Sequence, residues 1–393
     1  MSRFVAWILG AMICSTPCLA LPPQQRPRRP APAPSDVLSA AQRRRVDRAV
    51  DCALAYLVSQ QRPDGSFPSL PQGQPGTTAL CVQALLARGH VPQAGRYGSA
   101  LRSAVEYILA CQKSNGLLSL MSPDWSPRQK HPRRIVRRPD VRNLRRYNFL
   151  ACKAGSYNHA IAGVVLCEVY GMTDAATSRS LRGAIERALA YTRRLQAARK
   201  RYPLDVGGWR YLRRVSRAAD SDLSITSWHL MFLRSAKNAG FHVASEQIDL
   251  GLQFVRRCYR PDFGTFIYYA RPRMRRLPNL AMAGSGILSL ALGGEHNSDK
   301  ARSAGRWILQ APLGFGDEAS PDYYGAYYAS QAMFQLGGES WRRFFPRIVQ
   351  AVLRRQNADG SWQPMPPWGK AVNTALAVQA LMPPYQLLPV YQR

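Results

Sequence analysis

Residues 356–362 read Gln356-Asn357-Ala358-Asp359-Gly360-Ser361-Trp362, and the phrase recurs along the chain. Gln60-Gln61 leads through Asp64 and Gly65 to Phe67, and Gln112 leads through Asn115 and Gly116 to Leu117 and Leu118. Looser copies are Gly207-Gly208-Trp209 and Asp262-Phe263-Gly264-Thr265-Phe266. The phrase reads as a helix end. Glycine takes the left-handed backbone that closes a helix, the next ring folds back on the turn, and the Gln amide can satisfy carbonyls left open at the helix end. Recurrence over the whole length marks a repeat architecture.

Around these turns two kinds of helix alternate. Stretches near 41–60, 97–112, 178–198, 244–257, 299–310 and 340–355 are amphipathic; RGAIERALAYTRRL (182–195) shows the three- and four-residue apolar spacing of a helix with one wet side. Stretches near 77–88, 157–171, 221–236, 279–293, 322–337 and 372–382 are apolar or small nearly all round. TTALCVQALLA (77–87), AMAGSGILSLAL (281–292) and NTALAVQALM (373–382) carry no charge, and a helix without a wet face is buried on all sides. Six wet helices alternating with six dry ones predict an all-α (α/α)6 toroid, an inner ring inside an outer one. The last dry helix is as apolar as the middle ones, whereas an open solenoid ends in polar capping repeats.

The connections 113–156, 199–219 and 258–278 are long, and each runs from an outer to an inner helix, so all three belong at one end of the toroid. They are also basic. Residues 128–146 hold nine Lys or Arg side chains opposed by Asp140 alone, within a chain of 54 Lys plus Arg against 23 Asp plus Glu and a net charge of +31. That balance favours anionic partners: an anionic membrane surface, an acidic polysaccharide or an anionic small molecule. No nucleic-acid motif accompanies it. Residues 1–20, with Arg3 before an apolar run and Cys18-Leu19-Ala20 at its end, read as a signal peptide and predict a secreted or periplasmic protein. Residues 21–38 are a Pro/Arg-rich linker, leaving 39–393 as one toroid domain with a basic insertion at 122–148. The six cysteines beyond residue 20 fall mostly on apolar helix faces and read as free buried thiols. None has zinc spacing, and no metal or cofactor is expected.

The Gln-x-x-x-Gly-x-Trp turns resemble the repeat of squalene cyclases and protein prenyltransferases over about 40–393. The phrases SYNHAIAGVVLCEVYGMTD (156–174), GGWRYLRRVSRAADSDLSITSW (207–228), DYYGAYYASQAMFQLGGESWRRFF (322–345) and LLPVYQR (387–393) resemble a group of exported toroid proteins from planctomycete bacteria. The repeat is specific for fold and weakly specific for function. In squalene–hopene-type cyclases a Gly-Gly-Trp precedes an Asp-x-Asp-Asp-Thr acid motif. Here Trp209 precedes Asp220-Ser221-Asp222-Leu223-Ser224, which the resemblance makes a degenerate acid motif, with Asp222 as the alkene-protonating acid and Asp220 beside it. Prenyltransferases hold zinc with an Asp-x-Cys pair and a later His. Asp222 stands in the Cys position and Gly325 in the His position, so the resemblance implies no such zinc site. Arg214 and Arg217 match the diphosphate-binding basic residues of that group.

Asp220 is also placed to cap the third inner helix, leaving Asp222 to face the cavity. His159, with Tyr157, is a candidate cavity donor on the second inner helix or a hydrogen-bonded structural histidine. Glu168, lower on that helix, calls for a partner such as an arginine. Tyr324, Tyr327 and Tyr328 share one face of the fifth inner helix and serve either as a cation-stabilising wall or as core. Three functions remain open: an isoprenoid or lipid enzyme or binder with an Arg-rich mouth, an enzyme or binder of anionic polysaccharide, and a non-catalytic interaction scaffold.

Overall fold

The computed structural model describes residues 37–121, 144–213, 219–271, 276–315, 321–385 and 387–392. The signal peptide, nearly all of the linker, most of the basic insertion, and Arg214 and Arg217 lie outside the described residues.

Twelve α-helices are present among the described residues. The outer ones are α1 (Ala40–Ser59), α3 (Gly98–Ala110), α5 (Ala175–Ala197), α7 (Ser245–Arg257), α9 (Asp299–Gln310) and α11 (Gly338–Leu353). The inner ones are α2 (Gly76–Ala87), α4 (Leu144–Val169), α6 (Leu223–Asn238), α8 (Leu280–Leu292), α10 (Tyr323–Leu336) and α12 (Lys370–Leu381). Each inner helix packs on the next, and α12 packs on α2, so the ring closes. The dry pattern explains this directly: every residue of α2 is buried, whereas α1 buries only the stripe Val46, Ala49, Val50, Ala53, Leu54 and Leu57. A two-stranded hairpin, β1 (Tyr259–Arg260) and β2 (Thr265–Phe266), follows α7.

The Gln turns close the outer ring. The Gln61 amide donates to its own turn at Gly65 O (3.0 Å) and to Ala100 O of α3 (2.8 Å). Gln112 reaches Ala184 O of α5 (2.8 Å), and Gln196 reaches Gln247 O of α7 (2.9 Å). Gln356 carries α11 back to α1 through Ala49 O at 2.8 Å. The amide therefore serves the next helix of the ring, where the sequence pointed only to its own helix end. Gly65 (φ +86°) lies so close to that neighbour that a Cβ would stand 2.1 Å from Ser103 O.

A second link joins each of these turns to the inner ring. The backbone N–H of Phe67 donates to Thr78 Oγ1 (3.0 Å), that of Trp209 to Thr226 Oγ1 (3.0 Å), and that of Trp362 to Thr374 Oγ1 (3.1 Å). In the α4 copy the N–H of Leu118 donates to His159 Nδ1 at 3.1 Å.

At the C-terminal ends of the inner helices the chain plugs its own ring. Gln335 Nε2 donates to Tyr391 O (2.6 Å), and the Tyr391 hydroxyl meets Tyr327 OH and Gln83 Nε2. Nearby, Glu168 accepts from Ser235 Oγ at 2.8 Å. Its partner is thus a hydroxyl where an arginine was expected, and burial pushes its carboxyl up to about 7. All six cysteines of the described residues are free, and Cys52 alone is exposed.

Candidate functional site

At the other end, where the inner helices begin, the ring opens into a cavity of about 370 Å³. Leu80, Ile161, Trp228, Trp368, Val372 and Leu376 supply apolar wall, and Tyr157, Tyr211 and Tyr324 supply rings with hydroxyls. Lys153 is the one charged side chain among the described lining residues. Three inner helices are tied together at this level. Tyr157 of α4 donates to Ser224 Oγ of α6 (2.8 Å), Ser224 Oγ lies 2.8 Å from Tyr324 OH of α10, and Trp228 Nε1 donates to the same Tyr324 hydroxyl at 3.0 Å.

α4 supplies Lys153 because it starts at Leu144, far upstream of the expected 157. Residues 144–156 were read as loop. Those turns extend past the starts of the neighbouring helices, and their arginines and lysine break the dry pattern of a ring-buried segment. Lys153 Nζ sits 4.3 Å from the Phe149 ring centroid and 5.8 Å from that of Tyr211.

The acid pair takes a different arrangement from the expected one. Asp222, not Asp220, caps α6, accepting from the Ile225 N–H at 2.9 Å. Asp220 instead forms a close pair with Arg201 at 2.6 Å and accepts the Arg201 N–H at 2.7 Å. Asp222 is fully buried and absent from the cavity wall. Its Oδ2 lies 3.7 Å from Arg210 Nη1, and neither atom has a hydrogen-bond partner. Burial pushes the Asp222 carboxyl up to about 6, opposed by the Arg210 charge, the Ile225 N–H and the nearby Tyr268 hydroxyl. Asp222 thus stands behind a screen of tyrosines, of which Tyr157, Tyr211 and Tyr324 face the cavity.

Other candidates turn away from the cavity. His159 bridges Leu118 N–H and Thr192 Oγ1 of α5 (2.9 Å), and burial lowers it to about 3. It occupies the place that Thr78, Thr226 and Thr374 hold in the other copies, so its observed contacts are those of the structural histidine. Trp209 stacks on His229 at 5.0 Å and donates to Thr192 O. Tyr327 is held by Tyr391 at the plugged end, and Tyr328 packs edge-on against Tyr324 at 5.0 Å. Of the predicted residues, Tyr157 and Tyr324 reach the cavity, with Asp222 behind them. Lys153, Tyr211, Trp228 and Trp368 were missed, since two helices, α4 and α6, and two loops far apart in sequence bring them together.

The zinc-position residues are used for capping. Asp322 caps α10 through the Gly325 N–H at 2.7 Å, and a Cβ at Gly325 would stand 2.1 Å from Asp322 Oδ2. No cluster of three His, Cys, Asp or Glu able to hold a metal occurs among the described residues.

No protein-family model matches the chain, and no curated protein matches it in sequence. Solved structures do match. A single-substitution variant of the type II terpene cyclase MstE from Scytonema, in complex with the product merosterolic acid A, superposes with a TM-score of 0.54 at 15% identity, covering 88% of this chain and 98% of that one. The apo form of MstE gives 0.53 at 14%, covering 88% and 99%. The shared fold is an α/α toroid. A GH76 α-mannanase from Bacteroides thetaiotaomicron shares it, with a TM-score of 0.53 at 10% identity over 86% of this chain and 94% of that one. At such identities the likeness extends to the toroid alone.

Proposed function

We propose that this toroid is an exported protein that binds an isoprenoid or lipid-like molecule in its central cavity. The cavity wall carries the reading: aliphatic and aromatic side chains with a few fixed hydroxyls and one cation. A volume of about 370 Å³ suits a small molecule, since such pockets span about 300–1,000 Å³. Apolar surface buried there contributes about 25 cal/mol per Å². The fold is compatible with a terpenoid-related or a polysaccharide-related role, and the wall favours the first. Glycoside cleavage needs two carboxylates about 5–9.5 Å apart across the bond, and no carboxylate lines the cavity among the described residues.

Acid-initiated cyclisation has less support than binding. Asp222 is walled off by tyrosines, and a carboxyl near 6 is a weak proton donor for an alkene. Native mass spectrometry of the purified chain, with extraction of bound lipid, tests the reading. An apolar ligand is expected at up to one per chain, and Leu80→Trp, which fills the cavity, should abolish it. A chain that takes up no apolar ligand but binds acidic oligosaccharide would overturn the proposal.

A further inference from the structure

Next to the cavity, at the same end of the ring, lies a smaller pocket of about 140 Å³. Arg199, Lys200, Arg210 and Arg213 line it, against one carboxylate, Asp220, which Arg201 already engages at 2.6 Å. The two spaces share one side chain, Tyr211. Two cations sit against its ring: Arg210 from the basic pocket, at 4.8 Å, and Lys153 from the cavity wall, at 5.8 Å.

Arg210 is built into place. Its side chain is 10% exposed. One Nη donates to Tyr269 OH at 3.2 Å, and the guanidinium lies 5.1 Å from the Tyr269 ring centroid. The other Nη is buried and lies 3.7 Å from Asp222 Oδ2, which holds the guanidinium from behind. A fixed guanidinium beside three further cations, Arg199, Lys200 and Arg213, in a pocket with a single lining carboxylate, is suited to an oxyanion.

We propose that the basic pocket takes the oxyanion head of an amphiphile whose apolar tail lies in the central cavity, with Tyr211 at the junction. This rests on the cavity reading and adds the ligand class: one apolar chain ending in a carboxylate or a phosphate monoester. The pocket is half open, and its volume accommodates such a head. Its 140 Å³ is the space of four to five waters at about 30 Å³ each, enough for one such group.

Isothermal titration of the purified full chain with dodecyl phosphate, dodecanoate and dodecanol, at low ionic strength and below micelle formation, tests the assignment. At least one anion should bind tenfold or more tighter than the alcohol, and the stronger of the two identifies the head chemistry. Arg199 and Arg213 are both exposed. The double variant Arg199→Ser/Arg213→Ser should bring the anions to within about threefold of dodecanol and leave dodecanol itself unchanged. Lys200→Ser, a single change in the same pocket, should move the anions in the same direction and serves if the double variant does not fold. Equal binding of all three probes would overturn the head pocket and leave the cavity reading standing. Loss of the anion preference in Lys153→Met, with none in the pocket variants, would place the head on the cavity wall and overturn the assignment. No binding by any probe would overturn both readings.

Discussion

Asp222 meets two opposing demands with one carboxylate. As the cap of α6 it supplies an acceptor to the Ile225 N–H, and as a fully buried acid it is held above its ordinary value, at about 6. Because the folded value exceeds 3.8, its favourable contribution is complete below about pH 4 and is lost as pH rises through 6. The shift amounts to roughly 2–3 kcal/mol. Asn caps as well as Asp and carries no charge. Asp222→Asn should therefore raise Tm at pH 8 and flatten its dependence between pH 4 and 7, while Asp222→Ala should lie about 1 kcal/mol below Asn for the lost cap. A Tm for Asn below that of the unchanged chain at pH 8 would mean that the Arg210 pair outweighs burial. His159 works in the opposite direction. Burial lowers it to about 3, so its contribution is present above 6.5 and is lost as pH falls toward 3. His159→Ala strands the buried Leu118 N–H, at a cost of about 1–3 kcal/mol, beyond the cavity it leaves. His159→Thr, which copies the other turns, should recover part of that loss in thermal melts and leave ligand affinity unchanged. A large loss of affinity in a folded His159→Thr would place the imidazole in the binding site after all.

Among the elements, the staples between outer helices set the architecture. Gln356 spans the closure, binding Gly360 O of its own turn and Ala49 O of α1, 307 residues away in sequence. Gln356→Ala removes both bonds, and bonds of this kind contribute about 1 kcal/mol each. It should lower Tm by several degrees and speed amide exchange in α1 and α11 ahead of the other helices; uniform exchange throughout would show that closure does not depend on this staple. The dry and wet helices were legible in sequence because burial on all sides leaves no room for charge, and all twelve were found there. α4 was the partial failure: the arginines and lysine in the sequence of its first turns break the dry pattern, so they read as loop. The cap assignment failed for a related reason. Asp220 and Asp222 are equivalent by type and spacing, and only the placement of Arg201 and Arg210 separates them. The threonine–histidine equivalence was legible in principle, since Thr78, His159, Thr226 and Thr374 stand at matching places in the repeat. The cavity wall was not, because Lys153, Tyr211 and Trp368 converge from segments with no shared pattern.

For the whole molecule, the two ends of the toroid differ in kind. One is plugged by Tyr391, and the other holds the cavity and the basic pocket. The basic stretches of the sequence are attached at the open end. Residues 128–146 run into α4 just ahead of Lys153, Arg214 and Arg217 follow the pocket residue Arg213, and residues 271–276 follow Tyr268 and Tyr269, which face Arg210 and Tyr211. With a net charge of +31, this end is the one expected to meet an anionic surface. Each basic residue near such a surface contributes on the order of 1 kcal/mol, screened over about 8 Å at physiological salt. The purified chain should therefore bind vesicles containing phosphatidylserine, release them as salt rises, and ignore vesicles of phosphatidylcholine alone. Replacing Arg133, Arg134, Arg137 and Arg138 with Ser removes four of the nine basic groups of the 128–146 stretch. It should weaken vesicle binding at least tenfold without lowering Tm. Head-group binding in the pocket should survive the same change, since Arg199, Lys200, Arg210 and Arg213 remain. Vesicle binding that persists unchanged in the variant and at high salt would locate the contact elsewhere and leave the basic stretch as solvated surface.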